Sequence, residues 1–127
     1  MKTKLLETLA KVDKCPQLCH SPDGSTAAIL PYGGRVLGLF APNSEENFFW
    51  THPALQSEQS ALEFYESDQW HNSGGDRTWL APEVDFFLTN YPSTDVYRQP
   101  RELDPGNYQV VQYDEGERLV NRATFLL

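Results

Sequence analysis

Turn signals recur so often along this chain that no regular element can run long. Ser21-Pro22-Asp23-Gly24, Pro31-Tyr32-Gly33-Gly34, Pro42-Asn43-Ser44, Gly74-Gly75, Asp104-Pro105-Gly106 and Asp114-Glu115-Gly116 each carry a proline that fixes φ or a glycine that frees it. Short apolar segments lie between them. Only the first is spaced for a helix: Leu5, Leu6, Leu9 and Val12 recur every three or four positions with Lys and Glu between them, which predicts an amphipathic helix over residues 3–14 ended by Pro16. Residues 17–20 and 25–30 bracket the first turn as a hairpin, and residues 35–40 leave the second turn as a strand. Gly38 inside that strand marks a bulge or a close backbone approach.

Further along, Asn47-Phe48-Phe49-Trp50-Thr51 is aromatic enough to be placed as a central strand, ended by His52-Pro53. Residues 57–66 read as a short helix or an ordered loop, with Ser57 as cap and Ser60 three residues ahead of Glu63. A strand follows over residues 77–81, where Pro82 ends it or confines it to an edge, and residues 84–88 are apolar again. Residues 90–105 form a long connection of the kind that carries function. Residues 108–113 and 119–127 flank the last turn as a hairpin. The sum is a mainly β chain, an antiparallel β-sandwich of about seven or eight short strands behind an N-terminal α-helix, forming a single domain over residues 1–127. The apolar ending Phe125-Leu126-Leu127 predicts an edge that is covered or that pairs with another copy in a homo-oligomer. A chain stopping in mid-sheet reads as the front part of a larger domain.

Composition narrows the partners. Hydrophobic residues make up 39% and aromatics 13% of the 127, enough for a packed core and against a disordered chain. Ten basic against 18 acidic residues give a formal charge of −8, which repels nucleic-acid phosphates and anionic lipid and favours a neutral polar ligand or a protein. Glu7 and Lys11 interrupt the apolar residues near the N-terminus, so no secretory signal is expected and the address is cytoplasmic by default. Cys15, Cys19 and His20 offer three donors where structural zinc takes four, so no metal and no cofactor is expected.

Residues 70–83 crowd ionisable and aromatic groups about a glycine pair. Gly74 and Gly75 allow a sharp turn that could present His71, Asp76 and Arg77 together. Arg77 brings a planar fork of donors, while Asp76 and Glu83 accept, which suits a polyhydroxylated or anionic small molecule. Trp70 and Trp79 offer flat apolar faces for a sugar ring. A second reading stands beside the first: an Asp–Arg pair and two core tryptophans that staple strands, with Arg77 bridged to Asp76, Glu83 or Asp85 and Trp79 in the core. His71 is a ligand contact or proton donor, or else a histidine that bonds its own loop. Arg35, after another glycine pair, is a secondary ligand contact, and His52 is a loop cap.

Three stretches together carry a resemblance: Leu30-Pro31-Tyr32-Gly33-Gly34-Arg35-Val36-Leu37-Gly38-Leu39, Phe49-Trp50-Thr51-His52-Pro53-Ala54-Leu55, and Ser73-Gly74-Gly75-Asp76-Arg77-Thr78-Trp79-Leu80-Ala81-Pro82-Glu83. In order and spacing they resemble the N-terminal region of galactose mutarotase-like proteins, in particular an uncharacterised bacterial branch made up mainly of domains of unknown function. The resemblance covers residues from about 25 to about 90. It implies a β-supersandwich whose concave face binds carbohydrate, with an aldose 1-epimerase type of isomerase in its active members. In mutarotases proper a histidine protonates the ring oxygen and a glutamate deprotonates the anomeric hydroxyl. The glutamate base lies beyond the span of residues 1–127, and Glu83 matches the Pro-Glu of the motif rather than that base. The expectation is therefore a carbohydrate-binding domain without complete catalytic machinery. A non-catalytic sugar-binding module and an assembly domain pairing through its sheet edge are the alternatives.

Overall fold

The computed structural model describes residues 1–106, 108–113 and 116–120. Helix α1 (Lys2–Lys11) turns Leu5 and Leu9 inward, and Val12 just beyond it joins them. Its first turn is tied down from outside, because Thr3 donates its backbone N–H and its hydroxyl to the Glu45 carboxylate, at 3.0 and 2.8 Å. Those bonds hold the Glu45 carboxyl below the usual range. Asp13, with φ of 55°, ends the helix in the left-handed region, and Lys14 N–H returns to the Leu9 carbonyl.

Strands β1 (Gln17–His20), β2 (Thr26–Leu30), β3 (Arg35–Phe40) and β4 (Asp76–Arg77) form one antiparallel sheet in sequential order. The first turn is fixed by Asp23, whose carboxylate accepts from the Ser25 N–H and hydroxyl. Between β2 and β3 the register runs from Ala28 opposite Gly38 to Ile29 opposite Val36, so Leu37 is the extra residue of a bulge. Gly38 is a close approach as well, since a Cβ there would meet the Phe40 ring at 2.5 Å.

One face of this sheet is covered. Ala28, Leu30, Leu37 and Phe40 pack with Leu5, Leu9 and Val12, and with Leu55 and Ala61 from a 3-10 turn (Pro53–Gln56) and helix α2 (Glu58–Glu66). Ser57 caps α2 by accepting from the Ser60 N–H, and His52 caps the 3-10 turn by accepting from the Ala54 N–H. Among the described residues no helix is long and apolar enough to cross a membrane.

The helix–hairpin–strand order of the first forty residues matches the sequence reading. Later elements differ. Residues 47–50 are not a strand: the Asn47 side chain accepts from Leu39 N–H and Phe49 N–H and donates to the Leu37 carbonyl, which replaces a strand ladder. Only Thr51 bridges, to Gly74, and Phe48 and Trp50 stand exposed. The strand expected over residues 77–81 is confined to β4, and the apolar residues after it form a short helix, α3 (Glu83–Phe87). A final hairpin is present as β5 (Gln109–Tyr113) and β6 (Gly116–Val120), a separate two-stranded sheet whose second strand starts at Gly116, inside the expected turn, while residues 121–127 of the expected strand lie outside the described residues. The expected edge at Phe125-Leu126-Leu127 lies outside the described residues. What is established is an N-terminal helix with a four-stranded antiparallel sheet; six strands are described rather than seven or eight.

Candidate functional site

Gly74 and Gly75 are where the chain crosses closest to itself. Both have positive φ, and a Cβ would lie 2.3 Å from the Trp50 carbonyl oxygen at Gly74 and 2.4 Å from the Val36 carbonyl oxygen at Gly75. That crossing brings the loop before β4 across the end of β3, so Arg35 and Arg77, paired in register, stand side by side.

A single carboxylate lies between the two guanidiniums. Asp104, buried on the connection after α3, receives Arg77 Nη1, Arg35 Nη2 at 3.5 Å and the Trp70 indole N–H at 2.9 Å. All three donors meet Oδ2, and among the described residues Oδ1 takes none of these bonds. Arg77 is also held flat, its guanidinium carbon 3.6 Å from the Trp79 ring centroid and 4.6 Å from that of Trp70. Burial, and then repulsion from Arg35, lower the Arg77 pKa to about 10. Arg35, only 1% exposed, donates further to Asn72 Oδ1 and the Gly74 carbonyl, while its Nε has no partner among the described residues.

Beside this cluster a cavity of about 790 Å³ opens between residues 67–71 and 97–105, with Tyr32 in its wall. His71 stands on that wall with both ring nitrogens engaged. Nε2 lies 2.8 Å from the Ser67 carbonyl, which can only accept, so Nε2 carries a proton. Nδ1 then accepts from the Tyr32 hydroxyl at 2.6 Å. The imidazole is boxed in by Tyr32, Phe64 and Tyr65, and Tyr65 in turn bonds the buried Ser73. Burial raises the Tyr65 pKa to about 12 and also raises that of Tyr32, where the nearby Arg101 guanidinium partly offsets it.

The six sequence candidates separate accordingly. His71 lines the cavity. Arg77 is bridged, but to Asp104 rather than to Asp76, Glu83 or Asp85, and it backs the cavity through Trp70 and Asp104 instead of lining it. Trp79 is half-buried as the lid on that guanidinium and donates its indole N–H to Glu83, so neither residue reaches the cavity. Asp76 is exposed on β4. Arg35, expected as a secondary ligand contact, is a buried brace whose Nη1 and Nη2 donate to Asn72, the Gly74 carbonyl and Asp104.

Sequence reasoning missed Asp104, Tyr32 and the cavity-lining Tyr97, Arg98 and Arg101. The available signal was the length and polarity of the 90–105 connection; its Asp104-Pro105-Gly106 end reads as a turn and nothing more. Among the described residues no three His, Cys, Asp or Glu side chains stand together as a metal site. The arrangement can grip a polar ring against aromatic walls, and it holds the His71 imidazole paired with the Tyr32 phenol at the cavity surface. In comparison with known proteins, the chain matches no family model, no curated protein and no solved structure.

Proposed function

We propose that this chain is a carbohydrate-binding domain of the galactose mutarotase-like kind, with the sugar held in the cavity between residues 67–71 and 97–105. The observation that carries the reading is the cavity itself. At about 790 Å³ it has the size of a small-molecule site. Tyr32, Trp70 and Tyr97 give it aromatic faces, and Gln99 and Asp104 give it hydrogen-bonding groups. An aldose 1-epimerase needs an acid and a base on opposite sides of the ring, and the Tyr32–His71 pair supplies a proton-carrying group on one side. Binding without complete catalysis is therefore the form of the proposal.

On this reading the four-stranded sheet is the first layer of a β-sandwich in a larger domain. An exposed apolar side chain on the sheet supports this, since Leu39 is 41% exposed between buried Gly38 and Phe40.

Saturation-transfer NMR with a panel of aldoses tests the binding: transfer to at least one sugar, weakened in Trp70→Ala, is the expected result. Absence of transfer to every sugar tried overturns the proposal. Anomer exchange measured on the same samples distinguishes an isomerase from a module that only binds.

A further inference from the structure

We propose that the ligand of this cavity is an acidic sugar, its carboxylate or phosphate held by Arg98 and Arg101. This rests on the carbohydrate reading and narrows it to a chemical class.

The charge arrangement points that way. Arg98 and Arg101 both stand on the cavity wall, and among the described residues neither guanidinium makes an ion pair or a side-chain hydrogen bond. That is notable in a chain with 18 acidic against 10 basic residues, where carboxylates are the commoner partner. The buried carboxylate of the cavity is already shared between two other guanidiniums, since Asp104 Oδ2 meets both Arg35 and Arg77. Among the described residues, four guanidiniums thus stand at or behind the cavity against three carboxylates, those of Asp68, Glu102 and Asp104. The field is felt by the groups present: Arg35 makes Arg77 harder to protonate, and Arg101 makes Tyr32 easier to deprotonate than burial alone would. Two forked donors three residues apart suit the oxygens of one carboxylate or phosphate, while the aromatic walls take the ring.

Calorimetric titration of the full chain with galactose, galacturonate and galactose 6-phosphate tests the proposal. At least one acidic sugar should bind about tenfold or more tighter than galactose, the effect of a charge-assisted hydrogen bond or two. In the double variant Arg98→Gln/Arg101→Gln that preference should fall to about one. Preference for galacturonate or for the phosphate identifies the anion, and either supports the assignment. Equal binding of neutral and acidic sugars overturns it while leaving the carbohydrate reading intact, as does a preference that survives in the double variant. Binding of none overturns both. Salt gives a second readout on the unaltered protein: the preference should shrink between about 20 mM and about 500 mM salt, and a preference indifferent to salt also counts against the proposal.

Discussion

Asp104 holds together residues that the sequence leaves 27 to 69 positions away. Replacing it with Asn keeps the shape and removes the charge, which leaves two neighbouring guanidiniums without their anion. Breaking a buried pair in this way costs about 3 kcal/mol or more. Asp104→Asn should therefore lower the urea midpoint strongly without changing the slope of the transition. Tyr65 makes a different test. Its pKa is raised from 10 to about 12, so the folded state keeps the phenol proton where the unfolded chain releases it. The stabilisation is full below pH 10 and is lost as pH rises from 10 towards 12, amounting to about 3 kcal/mol. Stability measured across that window should fall more steeply for the unaltered protein than for Tyr65→Phe. At this scale the sequence was half legible. That Arg77 would find a carboxylate was foreseeable from its type, but the nearby choices were Asp76, Glu83 and Asp85. Nothing local distinguishes them from a carboxylate brought in by a long connection.

Among the elements, the Gly74–Gly75 crossing sets the geometry of everything around it. A methyl group at Gly74 would press into the Trp50 carbonyl, backbone that cannot swing aside, at a φ of 100° that an alanine resists. Gly74→Ala should cost several kcal/mol, on the order of 3 or more, and thermal unfolding should show it as a large drop in midpoint. The same crossing explains which elements could be read in advance. Helix α1 and the β1–β2–β3 meander follow from apolar spacing and from turn residues that act on their own neighbours. Residues 47–50 failed that logic because one side chain, Asn47, satisfies the backbone groups that a ladder would have used. The apolar residues of α3 failed it because five residues are too few for a period to distinguish helix from strand.

Across the whole molecule, α1 and α2 cover one face of the sheet, and the cavity meets that core only at Tyr32, its other lining residues coming from 67–71 and 97–105. Core and site are thus separable in their effects. A ligand that enters the cavity binds the folded chain and not the unfolded one, so it should raise the thermal midpoint in a concentration-dependent way. At a hundredfold excess over its dissociation constant the gain is about 3 kcal/mol. Calorimetric scans with rising sugar concentration check this, and a midpoint that stays fixed while binding is detected would place the ligand elsewhere.

The wide sequence separation of the groups around Asp104 also orders events during synthesis. Helix α1, the β1–β2–β3 meander, α2 and strand β4 are all complete by residue 77, so both guanidiniums leave the ribosome before the acid that joins them. The nascent chain therefore assembles its scaffold first and closes its arginine cluster last, when residue 104 emerges and draws the late segment back across the glycine crossing.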